Sequence, residues 1–209
     1  AYMQYSTFAA IDIGSYDVIL EIFEISKKQG IRSVDKICHR MELGKDTYTL
    51  GKIRPEMEEE LCRVLADFVR IMEGYRVDDY RAAASSAISE ASNSLYVLGK
   101  IHQLTGLSVT VLSNSEQRFL SYKALAAMED NFNKVIEKGT AILDLDGGSF
   151  QISLFDKDAL VTTQNIRMGS LRVRERLAGI QSETEHYEEM VEELIWNEVS
   201  SFKKMYLKD

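Results

Sequence analysis

Residues 139–155 read GTAILDLDGGSFQISLF: an apolar run, the turn Asp144-Leu145-Asp146-Gly147-Gly148-Ser149, and a second run with alternating apolar positions. That turn fits two structures. Asp-Gly supplies positive φ at low cost and favours a plain β-hairpin, whereas paired glycines followed by a serine also suit a loop that holds phosphate. The choice rests on a second stretch. Residues 8–23, FAAIDIGSYDVILEIF, share the plan of an apolar strand ending in Asp-x, a Gly-Ser turn and an alternating strand. Asp12 and Asp144 occupy matching places. Two such hairpins in equivalent positions of two similar element orders imply duplicated lobes, expected to face each other across a cleft.

The elements around these hairpins support an α/β fold. Strands are expected at STFAAIDI, VILEIFEIS and residues 31–41, the last following a turn at Gly30. A helix starts near Pro55, which suits a first helical position. Glu56, Glu58, Glu59 and Glu60 favour its positive end, and Met57, Leu61, Leu65, Phe68 and Met72 recur at helical spacing. A fourth strand is expected from Asp79 to Ala84, a helix from Ser89 to Leu104, and a fifth strand over SVTVLS, ending at Ser113. Ser113 or Asn114 then caps a helix reaching Met128. Residues 129–139 are polar without periodicity, and beyond them the strand-turn-strand order restarts. The expected domains are therefore 1–129 and 130–209, with a last helix from Glu183 to Tyr206.

Composition narrows the function. The chain has 209 residues, 45% hydrophobic and 28% charged, as in ordinary globular proteins. Its 33 acidic and 25 basic residues give a net charge of -8 with no basic cluster, which argues against nucleic-acid binding. Cys38 and Cys62 lack metal-ligand spacing and read as reduced thiols, and His39, His102 and His186 are equally scattered. No apolar run approaches the roughly 20 residues that span a bilayer. The start of the chain lacks a signal-peptide pattern, so a cytoplasmic location with no membrane partner is expected.

The chemistry of the two turns is specific. Glycines expose backbone N–H groups and a serine hydroxyl adds a donor, so Gly14, Ser15, Gly147, Gly148 and Ser149 are candidates for cradling phosphate oxygens. An aspartate just before such a turn can hold a divalent cation that bridges the phosphates, which makes Asp12 and Asp144 the metal candidates.

Five stretches in order, AAIDIGS, AAASSAISEASN, VTVLSNSEQRFLSYKAL, AILDLDGGS and IRMGSLRV, resemble the Ppx/GppA family of exopolyphosphatases and guanosine pentaphosphate phosphohydrolases, within the actin/hexokinase/Hsp70 superfamily. The resemblance covers nearly the whole chain. It implies two ribonuclease-H-like lobes and Mg2+-dependent hydrolysis of a terminal phosphoanhydride in polyphosphate or pppGpp. It also implies a homodimer for the full-length protein. Family members usually continue with further second-lobe elements, so that lobe is expected to be incomplete at Asp209.

Five positions depart from the family pattern. Tyr16 and Asp17 replace an amide and a hydroxyl in the first turn, Asp146 replaces the first of three glycines in the second, and Ser89 stands where the family has an arginine. The resemblance also places the general base of the attacking water, a glutamate, at Gln117, which makes Glu116 and Gln117 the catalytic candidates for handling that water. An amide orients water but does not take its proton, and loss of a positioned base costs about 10^2 to 10^4 in rate. At an effective dielectric near 20, a carboxylate about 4 Å from a phosphate charge costs roughly 4 kcal/mol before screening. These changes all weaken phosphate chemistry. The expected alternatives are an impaired hydrolase and a phosphate- or nucleotide-binding regulatory module.

Overall fold

The computed structural model describes residues 5–128, 132–178 and 186–207. Two compact units divide between Ser113 and Asn114, and each is described by itself.

In the first unit, β1 (Ser6–Ile13), β2 (Asp17–Ser26) and β3 (Gly30–Arg40) form an antiparallel meander. On the other edge of β1 lies β4 (Asp79–Ala84), parallel to it, and β5 (Val109–Val111) lies parallel to β4. The result is a mixed five-stranded sheet of order β3-β2-β1-β4-β5. Alternation in the sequence becomes packing through register. Ala9 lies opposite Ile22, Ile11 opposite Leu20 and Ile13 opposite Val18, and all six side chains are buried.

Pro55 opens α2 (Pro55–Gly74) at its first turn, and Leu61, Leu65, Phe68 and Met72 turn inward as their spacing predicts. Buried Glu58 on this helix is neutralised by Lys100 Nζ at 2.7 Å. Lys100 belongs to α4 (Ser94–Thr105), so the pair ties two helices together.

Two elements differ from expectation. The single helix expected over 89–104 is instead a short α3 (Ser86–Ser89) and α4. Asn93 causes the break: its Nδ2 donates to the Ile53 carbonyl at 2.8 Å and its Oδ1 accepts the Ile53 N–H at 3.0 Å. Asn93 thus adopts a non-helical φ/ψ before α4 begins. The second difference is α1 (Leu43–Leu50), which has no apolar periodicity to announce it. Buried Asp46 holds this helix, accepting both the backbone N–H of Arg54 at 2.9 Å and its guanidinium.

The second unit contains α5 (Asn114–Met128), α6 (Phe132–Ile136), the strands β6 (Thr140–Leu145), β7 (Phe150–Asp156) and β8 (Ala159–Ile166), then α7 (Ser170–Leu177) and α8 (Tyr187–Tyr206). The strands form an antiparallel sheet of order β6-β7-β8. Phe150, Ile152, Ile166, Met168, Val173, Leu177 and Phe202 make its core.

The boundary between units therefore precedes α5, earlier than the expected 129/130, which lies outside the described residues. Side-chain packing explains the position. Tyr122 of α5 donates its hydroxyl to Ser153 of β7 and meets Phe155 edge-to-face at 5.3 Å. The helix is part of the second core. Residues 132–136, expected to be irregular, form α6, whose Phe132 also meets Phe155 edge-to-face. The expected start of the last helix at Glu183 lies outside the described residues.

Candidate functional site

Asp12, Gly14 and Ser15 belong to the first unit, whereas Glu116, Gln117, Asp144, Gly147, Gly148 and Ser149 belong to the second. Asp12, in register with Ile19 and Ala83, is exposed one residue before the end of β1. The turn that follows is closed by the Gly14 N–H bonding the Asp17 carbonyl at 3.0 Å. A Cβ on Gly14 would lie 3.1 Å from that carbonyl oxygen. The entry to α1 takes the other carbonyls: Met41 and Glu42 N–H donate to Tyr16, and Gly44 N–H donates to Ser15.

The Ser15 hydroxyl is buried and shares a 2.6 Å hydrogen bond with the Tyr48 hydroxyl, which shares another of 2.6 Å with Ser86. Tyr16 lies under the Arg40 guanidinium, 5.0 Å from the ring centre. Ser89, where the family places arginine, is exposed at the end of α3.

The second turn is held more tightly. Asp146 Oδ1 accepts the N–H groups of Gly148 at 2.7 Å and Ser149 at 2.8 Å. The carbonyls point the other way, into the start of α7: Ser170 N–H bonds Asp146, Arg172 N–H bonds Gly147, and Arg172 Nε bonds Gly148 at 2.7 Å. The backbone N–H groups of Ser170 and Arg172 are helix-opening donors that need partners outside their own helix. Asn165 Nδ2 donates to the Ser149 hydroxyl at 3.1 Å. Gly169 permits this closeness. A Cβ there would fall 2.4 Å from the Gly147 carbonyl carbon and 2.4 Å from the Ser149 nitrogen.

One face of α5 meets the metal candidate of this unit. Ser121 Oγ donates to Asp144 Oδ2 at 3.0 Å, and Gln117 stands one turn earlier on the same face. Glu116 is about 100° further round the helix. Beneath that face lies a cavity of about 290 Å3 lined by Arg118, Ser121, Leu125, Asp144 and Gln151 among others. Gln151 is buried, with its Nε2 3.5 Å from the Asn114 carbonyl.

Mg2+ retains several waters and takes one or two carboxylates together with substrate phosphates. Asp12 and Asp144 are each exposed within their own unit. Among the described residues no three His, Cys, Asp or Glu side chains gather as a protein-only metal cage.

Tyr48, Asn165, Gly169 and Arg172 were not singled out as site residues in the sequence. Gly169 and Arg172 do lie within IRMGSLRV, so a signal was present. Tyr48 and Asn165 had none, because their roles depend on contacts distant in sequence.

Each unit of this α/β chain carries a strand ending in Asp-x, a glycine turn and a returning antiparallel strand. The model of the Ppx/GppA phosphatase family matches residues 21–209, and the chain belongs to that family. A crystal structure of the Aquifex aeolicus family member superposes with a TM-score of 0.70 at 23% identity, covering 95% of this chain and 63% of that one, which shows the fold. Among curated proteins, the bifunctional 3-dehydroquinate synthase/phosphatase of Fusobacterium nucleatum is 21% identical over 174 residues, 80% of this chain and 26% of that protein. Exopolyphosphatase 1 of Mycobacterium leprae is 24% identical over 144 residues, 68% of this chain and 41% of that protein. The chain thus spans less than half the length of these curated relatives. No helix among the described residues is long and apolar enough to cross a membrane.

Proposed function

We propose that this chain carries the phosphate-handling part of an exopolyphosphatase-type phosphohydrolase that removes terminal phosphate from polyphosphate or pppGpp, with turnover depressed by its own substitutions. The observation that carries this reading is the family match over residues 21–209. In it, Asp12 and Asp144 would each offer a carboxylate to Mg2+, and the ion would supply positive charge against the phosphates. Gly14, Ser15, Gly147, Gly148 and Ser149 are the candidates for contact with the phosphate chain. Gln117 orients the attacking water without taking its proton, and Glu116 points elsewhere on the helix.

A second reading, a phosphate- or nucleotide-binding regulatory module, is favoured by Gln117 together with Asp146. Phosphate release from polyphosphate and from pppGpp, measured with Mg2+ on the full-length protein and its Gln117→Glu variant, separates the two. A phosphohydrolase limited by its base gains about 10^2 to 10^4 in rate with the glutamate. Robust turnover by the unmodified protein would sink the idea of impairment. Silence of both proteins, with phosphate chains still bound, would leave the regulatory module.

A further inference from the structure

A phosphate held in a glycine turn is held by backbone N–H groups. In the second turn, two such groups already have an anion: Asp146 Oδ1 sits 2.7 Å from the Gly148 nitrogen and 2.8 Å from the Ser149 nitrogen. One carboxylate oxygen taking two adjacent backbone donors is the contact that a phosphate oxygen would make. The carbonyls of Asp146, Gly147 and Gly148 are engaged by α7, and the Ser149 hydroxyl by Asn165. Gly147, Gly148 and Ser149 are buried.

We infer that Asp146 determines what the second turn binds: its carboxylate occupies the amide pair, and the turn admits a phosphate chain only when that carboxylate is displaced. This inference rests on the phosphate-handling reading above, and it differs from simple charge repulsion. Repulsion acts through the net charge of Asp146, whereas occupancy acts through its Oδ1 as an acceptor. Asparagine separates the two effects, because it removes the charge and keeps an acceptor oxygen in the same place. Alanine removes both. Asp146 does not adopt a positive φ, so alanine fits its backbone without strain.

The test is titration of the full chain and its Asp146→Ala and Asp146→Asn variants with tripolyphosphate and Mg2+, following the amide signals of Gly14, Ser15, Gly148 and Ser149 by NMR. Native amide dispersion in each variant reports that it has folded, and Asp146→Gly is a second variant lacking the acceptor. In the parent and in Asp146→Asn, the Gly148 and Ser149 signals are expected to stay in place. In Asp146→Ala they shift saturably, with tripolyphosphate bound at least about tenfold tighter. Equal gains from asparagine and alanine would overturn occupancy in favour of charge. Saturable shifts of Gly148 and Ser149 in the parent would overturn the inference while leaving the phosphate reading intact. No shift at any of the four amides in any variant would overturn both.

Discussion

The same strand-turn-strand plan meets different fates in the two units. In β1, Ile11 and Ile13 are 2% and 0% exposed, whereas their counterparts in β6, Leu143 and Leu145, are 68% and 66% exposed. The hairpins themselves are alike, since β1 pairs antiparallel with β2 as β6 does with β7. The neighbours differ. β1 has β4 on its second edge, while β6 pairs only with β7 among the described residues. An apolar strand acquires burial from its neighbours, and only its tendency to be a strand is its own.

The turns differ in the opposite sense, and this gives the largest expected effect. A methyl at Gly169 collides with backbone atoms at 2.4 Å, but a methyl at Gly14 meets one oxygen at 3.1 Å. Gly169→Ala should cost at least about 3 kcal/mol, the upper range for overpacking, and Gly14→Ala about 1 kcal/mol. The urea midpoint of the first variant can be followed at Trp196, the single tryptophan, and that of the second by circular dichroism. Equal costs would break the claim that the second turn is the tighter one.

The exposure contrast is tested by a matched pair. Ile11→Ala should destabilise by about 2–4 kcal/mol as a buried truncation, whereas Leu143→Ala should stay within about 0.5 kcal/mol as a surface change. A large cost at Leu143, read from the shift in urea midpoint, would mean that β6 is covered as β1 is.

The smallest effect concerns pH. The hydrogen bond from Lys100 to Glu58 raises the lysine above its ordinary value of 10.5. The contribution of the pair is complete below that unfolded value and is lost as pH rises through the higher folded one. Midpoints measured across the alkaline range should therefore fall, and the fall should flatten in Glu58→Gln. An unchanged slope in that variant would remove the pair as its cause.

How legible these features were in the sequence depended on what made each one. β1, β2 and α2 were legible because period-2 alternation and the Pro55 helix start are local signals. The LGKDTYTL helix was not, because its anchor is the Asp46 contact with Arg54, and the break before α4 was not, because it depends on Asn93 reaching Ile53. The two glycine turns and their aspartates stood out at once. Asp146 stood out only as a charge. Its role as hydrogen-bond acceptor for Gly148 and Ser149 is a matter of side-chain direction, which composition does not carry.

The three hydroxyls Ser15, Tyr48 and Ser86 carry a polarity. A chain of hydroxyls can order its protons in either of two directions, and neither 2.6 Å contact fixes which atom donates. An acceptor arriving at Ser15 makes that serine donate outward, so that it accepts from Tyr48, which in turn accepts from Ser86. A hydrogen-bond acceptor at the β1–β2 turn thereby sets the direction of the Ser86 hydroxyl on α3.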